Sequence, residues 1–174
     1  MAQSDLFVCP DLPVCVAALY RFAPMGELPA LRAQLLELCE RLDVRGTLLL
    51  ASEGINGTVA GSDAAIAELV AALRRLPHCE PLEVKYSRAA ALPFKRMKVR
   101  IKAEIVTMGQ PQIDPLAPGR YLEGEAWNAL IADPATVVID TRNSYEIAAG
   151  TFANAIDPGT RSFREFPDWF RANR

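Results

Sequence analysis

Leu28, Leu31, Leu35, Leu38 and Leu42 recur at three- and four-residue spacing. That spacing winds an apolar stripe along one side of a helix over 26–43 and rules out a strand there. A second stripe follows in "SDAAIAELVAALRRLP" (62–77), where Ile66, Leu69, Val70 and Leu73 share a face. Ser62 or Asp63 is its N-cap and Pro77 its stop. Neither stripe can bury itself, so each needs an apolar sheet to pack against. Four short runs supply one: "VCVAALYRF" (14–22), "GTLLLA" (46–51), "INGTVAG" (55–61) and "PLEVKYS" (81–87). The order is β-α-β-β-α-β, the split βαβ of a ferredoxin-like α+β sandwich.

The second and third runs are joined within "LLLASEGINGTVAGS" (48–62), which holds Gly54, Gly57 and Gly61. This spacing is neither GxGxxG nor GxxxxGK[ST]. The stretch also lies between strands, whereas a phosphate loop feeds a helix N-terminus. It reads as a hairpin, with the turn at Glu53-Gly54 in preference to Asn56-Gly57, because that choice leaves strands of matched length.

An extra strand is expected in "RMKVRIKAEIV" (96–106). Arg96, Lys98, Arg100 and Lys102 alternate with Met97, Val99 and Ile101, which gives one basic and one apolar face. From Lys85 to Lys102 there are seven Lys or Arg and no Asp or Glu, in a chain of net charge -2. Such a stripe protects an edge strand from unwanted pairing, or it neutralises phosphates. Phe94, beside Lys95 and Arg96, offers a stacking surface for a base.

"TMGQPQIDPLAPGRY" (107–121), with three prolines and two glycines, reads as an extended linker. The expected domains are therefore 1–106 and 122–174. After the linker come a short helix ("EGEAWNALIAD"), a strand ("TVVID", 136–140), a helix from Asn143 to Ala149, and a last helix in "RSFREFPDWFRANR". Helices around one fully apolar strand point to a parallel α/β sheet. One strand does not complete such a sheet, and Val137, Val138 and Ile139 are expected to be left exposed.

No apolar run approaches the ~20 residues that cross a bilayer, so no membrane partner is expected. Cys9, Cys15, Cys39 and Cys79 fit no zinc spacing; they read as reduced thiols in a cytoplasm, with Cys39 buried beside the first leucine stripe. His78, the only histidine, adjoins Cys79, and neighbours in an extended loop point apart, so a Cys-His pair is not expected. Neither a metal nor another cofactor is evident.

Two motifs resemble known families. Arg21 near the end of the first strand and Asn56 after the second resemble the anion-holding Arg and water-orienting Asn of acylphosphatases. "YRFAPMGELP" lacks that family's glycine-rich loop, so the likeness implies shared fold and not shared activity. "VVIDTRNSYEIAAGTFANAIDPGT" (137–160) is similar to the first half of a rhodanese domain, with Asp140, Arg142 and Glu146 at the positions that shape its active-site rim. The rhodanese nucleophile is a cysteine on a later loop, and no cysteine follows Cys79.

"LLLASEGINGTVAGS", "PFKRMKVRIKAEIVTMG", "GRYLEGEAWN", "VVIDTRNSYEIAAGTF" and "FREFPDW" occur in that order. Together they make the chain resemble the rhodanese-related tRNA uridine-34 hydroxylases, which join an acylphosphatase-like N-terminal domain to a rhodanese domain. The resemblance implies 5-hydroxylation of the wobble uridine in the cytoplasm, with molecular oxygen as co-substrate and tRNA as partner. It also implies a nucleophilic cysteine beyond Arg174, a chain truncated before that loop, and an inactive fragment. Lys95, Arg96, Lys98, Arg100 and Lys102 become the candidate tRNA contacts. The alternatives are a rhodanese-type sulfurtransferase, which needs the same cysteine, and a non-catalytic RNA- or protein-binding module.

Overall fold

The computed structural model describes residues 12–110, 112–114, 117 and 119–174. Cys9 and the linker prolines at 111, 115 and 118 lie outside the described residues. Two compact units divide the chain, 1–106 and 107–174.

The first unit contains β1 (Val14–Phe22), α1 (Leu28–Arg41), β2 (Arg45–Ala51), β3 (Gly54–Gly61), α2 (Asp63–Arg74), β4 (Glu83–Ala89) and β5 (Met97–Ile101). The strands form one sheet in the order β4-β1-β3-β2-β5. The first four strands pair antiparallel, and β5 adds parallel to β2. This is the ferredoxin-like arrangement with the extra basic strand on one edge.

Both helices cover the same face. Leu35 and Cys39 of α1 and Ile66, Leu69, Val70 and Leu73 of α2 close on Ala17, Leu19, Leu48, Leu50, Ile55 and Val59 of the sheet. Each large side chain in this layer contributes roughly 1.5–3 kcal/mol relative to exposure. The Ser62 hydroxyl accepts from the Ala65 N–H (3.2 Å) and caps α2. Left-handed backbone at Glu27 (φ 47°) and Asp43 (φ 49°) brackets α1, so the helix is shorter than its leucine stripe.

The hairpin turns one residue earlier than the sequence reading has it. Ala51 pairs with Gly54, so Ser52 and Glu53 form the turn and Gly54 opens β3 with φ 153°. The turn then joins two neighbours. The Ala23 and Met25 N–H groups donate to the Glu53 and Ser52 carbonyls, both at 2.9 Å. The Glu53 carboxylate accepts from the Ile105 N–H (2.7 Å), and the Asn56 amide donates to the Ile105 carbonyl (2.9 Å). The glycine-rich stretch therefore clamps the chain where it leaves the sheet.

The second unit contains α3 (Gly124–Ala132), α4 (Ser144–Ala149), a 3-10 turn (Phe163–Glu165) and α5 (Phe166–Asn173). Residues 136–140 are not a strand. Ile139 makes a single parallel bridge with Ile156, flanked by Asp140 N–H to Ile156 carbonyl (3.0 Å) and Ile156 N–H to Val138 carbonyl (2.8 Å). A strand exists by its ladder, and here one neighbour offers one rung; Val137 is 69% exposed as expected, whereas Val138 and Ile139 are half-buried, because the bridge to Ile156 covers them in part. Among the described residues of this unit only Asp140, Thr160 and Pro167 are buried. Among its described residues, ring contacts join Trp127 to Phe152 and Phe166 to Phe163, Trp169 and Phe170.

Candidate nucleic-acid interface

β5 forms an edge of the sheet, and its alternation decides which side chains reach solvent. Val99 is buried and Met97 packs on the core, while Ile101, at the strand's end, is 42% exposed. Lys98 and Arg100 stand opposite Thr47 and Leu49, so they lie on the sheet face away from the helices. Lys95, Arg96, Arg100 and Lys102 are exposed and Lys98 is half-buried. Among the described residues none of these five side chains is in an ion pair.

Two clefts flank the strand. One, of about 440 Å³, is lined by Gly46, Thr47, Pro93, Phe94, Lys95, Arg96 and Lys98. The other, of about 270 Å³, lies toward α1 and includes Arg32, Leu36, Arg96 and Arg100. Arg32 donates to the Val99 carbonyl (2.9 Å), which occupies an edge acceptor that another strand could otherwise use.

The sequence run of seven cations is not one patch. Arg88 is paired with Asp63 of α2 (2.5 Å), and Lys85 lies on β4 at the opposite edge. Only the five at β5 remain together and free.

The acylphosphatase-like pair does not converge. Tyr20 is the cross-strand partner of Asn56, and Arg21 that of Ile55, so the Arg21 and Asn56 side chains leave opposite faces of the sheet. Arg21 donates to the His78 carbonyl (3.0 Å), and Asn56 holds Ile105. His78 is exposed in left-handed backbone (φ 61°) and Cys79 is buried, so they do not form a nucleophile pair. Desolvation pushes the Cys39 thiol up to about 11. Desolvation also raises Cys15 and Cys79, partly offset by Arg88 and Arg21 respectively. Such thiols are protonated at neutral pH and poor nucleophiles.

In the second unit, Arg142 grips Asp140 with two N–H groups, Nε to Oδ1 at 3.0 Å and Nη2 to Oδ2 at 2.6 Å. The Arg142 backbone N–H (3.1 Å) and the Thr151 hydroxyl (2.8 Å) donate to the same carboxylate. Arg142 also donates to the Gly150 carbonyl (2.6 Å). Glu146 is turned elsewhere: it accepts from the Asn143 N–H (3.2 Å) and side-chain amide (2.8 Å), closing a capping box on α4. The three residues brace one loop; only Asp140 and Arg142 touch.

The hydrogen bonds from Arg142 and Thr151 hold the Asp140 carboxyl well below the usual carboxylate range. An unfolded Asp titrates near 3.9. A group depressed in the folded state contributes stability above that value and loses it as pH falls through the folded one. Asp140→Asn is expected to speed amide exchange over 139–151 at pH 7. The gap from the parent chain should close only as pH drops well below ~4. A gap independent of pH would place the effect in side-chain shape and not in charge.

A family model described as the UPF0176 acylphosphatase like domain matches residues 14–105. The chain belongs to that family. Within the UPF0176 acylphosphatase-like domain, the matched residues begin at β1 and end at Ile105, so they enclose β5 and both clefts. Asp140, Arg142 and Glu146 lie outside them. A tRNA uridine(34) hydroxylase of Gluconobacter oxydans is 59% identical over 163 residues, 93% of this chain and 52% of that one. One from Brucella ovis is 58% identical over 165 residues, 94% of this chain and 54% of that one. The chain spans about half the length of the curated relatives it matches. An acylphosphatase from Coxiella burnetii superposes with a TM-score of 0.38 at 16% identity, over 51% of this chain and 94% of that one, a likeness too loose to bear on function. Among the described residues no helix is long and apolar enough to cross a membrane.

Sequence reasoning missed the clefts, the contributions of Gly46 and Thr47, and the clamp on Ile105. All of these join residues distant in sequence, 49 and 52 positions apart for the clamp, and no local pattern announces them.

Proposed function

We propose that this chain supplies the RNA-binding part of an enzyme that hydroxylates the wobble uridine of tRNA at C5 in the cytoplasm. The supporting observation is the row of five unpaired cations on the β5 edge. It occurs in a chain 58–59% identical to curated tRNA uridine(34) hydroxylases over nine-tenths of its length. Lys95, Arg96, Lys98, Arg100 and Lys102 take the phosphates, which positions the RNA without reading its sequence. Residues 107–121 are the linker, and 122–174 are the opening part of a rhodanese-like domain. The single rung at Ile139, and Pro167 as the one buried apolar side chain among the described residues of that unit, support this reading.

Asp140 and Arg142 then brace the loop at the active-site rim, and Glu146 fixes the helix behind it. Molecular oxygen is the co-substrate that supplies the hydroxyl. The nucleophilic cysteine is expected beyond Arg174; the burial of Cys15, Cys39 and Cys79, the cysteines among the described residues, supports this reading.

Deleting the gene should remove 5-hydroxyuridine from position 34, as read by mass spectrometry of digested tRNA, and the intact gene should restore it. Unchanged hydroxyuridine would overturn the proposal and leave the sulfurtransferase and the binding module.

A further inference from the structure

The larger cleft beside β5 differs from an ordinary basic patch in one respect: it has an aromatic wall. Phe94 is half-buried and lines it together with Pro93, while Lys95, Arg96 and Lys98 line the same space. Gly46 contributes no side chain and Thr47 contributes a hydroxyl. The volume, about 440 Å³, falls within the ~300–1,000 Å³ of small-ligand clefts. The cations are local to this corner. Across the sheet from Lys98 the same row runs through Thr47, Thr58 and Ala18 before it meets Lys85 on β4. Along this row, positive charge is therefore concentrated at the cleft.

We infer that this cleft holds one unpaired nucleotide, its base stacked on the Phe94 ring and its flanking phosphates on Lys95, Arg96 and Lys98. The inference rests on the RNA-binding reading above and adds to it a choice of RNA form. A base inside a duplex has both faces covered by its neighbours, whereas an unpaired base can be laid on an aromatic ring. Stacking is tolerant of base identity, so the cleft selects for an unpaired strand before it selects for sequence. The Thr47 hydroxyl is placed to bond a base edge or a 2′-hydroxyl.

The test compares a labelled decauridylate with a duplex RNA of equal phosphate number, binding to the 174-residue chain, with affinity followed against salt. Phe94→Ala should lower decauridylate affinity about tenfold, the scale of one missing base stack, and leave the duplex affinity and the salt slope unchanged. Phe94→Tyr should bind as the parent does. Phe94→Leu, which keeps apolar volume without a π face, should bind as weakly as the alanine variant while unfolding at the parent's temperature. Equal losses on both RNAs, or a leucine variant that binds like the parent, would overturn the inference. Lys98→Glu separates the two readings. If it lowers the salt slope while Phe94 variants change nothing, the cleft fails and the phosphate contacts stand. If it leaves the slope unchanged for both RNAs, the RNA-binding reading falls, and the cleft with it.

Discussion

Gly54→Ala should unfold the first unit at a temperature about 12–24 °C below that of the parent. Gly54 opens β3 at φ 153°, which L side chains rarely adopt, and that backbone strain alone is worth roughly 1–3 kcal/mol. A Cβ there would also fall inside the van der Waals envelope of the Arg21 carbonyl oxygen and lie 3.0 Å from the Phe22 Cα. Both are backbone of β1, so no side chain can swing away. Relief requires moving β1 from β3, at the end where the hairpin turn also holds Ala23 and Met25. Strain and overlap together reach roughly 3 kcal/mol, the range of the larger single-residue effects. For a unit of this size each kcal/mol shifts the midpoint by roughly 4–8 °C. Gly26→Ala is the control: it has negative φ and nothing within 4 Å of a built Cβ, and should change the midpoint little. Equal midpoints for the two variants, by calorimetry or circular dichroism, would refute this account of the hairpin.

The damage would reach the candidate interface. Glu53 and Asn56 hold Ile105 from the same hairpin, and the Lys102 N–H donates to the Leu50 carbonyl (2.8 Å). The segment that follows the basic strand is thus anchored by the turn that Gly54 makes possible.

What was legible in the sequence was what local periodicity dictates. The leucine stripe placed α1, the cap of α2 was narrowed to Ser62 or Asp63 and is Ser62, and β1 runs over the residues read from its composition. The hairpin was legible to within one residue. The positive φ falls on the first residue of β3 and not inside the turn, because the close approach of β1 demands glycine there. The strand at 136–140 was misread because apolar content marks burial, and a strand also needs a neighbour to pair with. Ile139 finds one rung, with Ile156. The run from Lys85 to Lys102 looked like one basic face, yet the chain crosses the whole sheet between β4 and β5, and Asp63 neutralises Arg88 on the way. The motif that placed Glu146 at the rim did not announce its local contact, the capping box its carboxylate closes with Asn143 on α4.

The second large effect concerns the β5 edge. Lys95, Lys98 and Arg100 lie within six residues and have no ion-pair partners among the described residues, so reversing them breaks no internal ion pair. A purely protective role for an edge strand would tolerate glutamate as well as lysine, since either charge discourages pairing. A phosphate-binding role would not. An exposed charge pair with a phosphate is worth up to ~1 kcal/mol, so removing three of them weakens affinity on the order of 100-fold. Each such pair removed also takes close to one counterion out of the salt dependence.

The deciding measurement is the affinity of the chain for unmodified tRNA between about 50 and 200 mM salt, for the parent and for the Lys95→Glu, Lys98→Glu, Arg100→Glu variant. A phosphate-binding edge predicts weaker binding at every salt concentration and a log–log slope shallower by roughly 2–3. A variant that folds like the parent and keeps the parent's slope would contradict it.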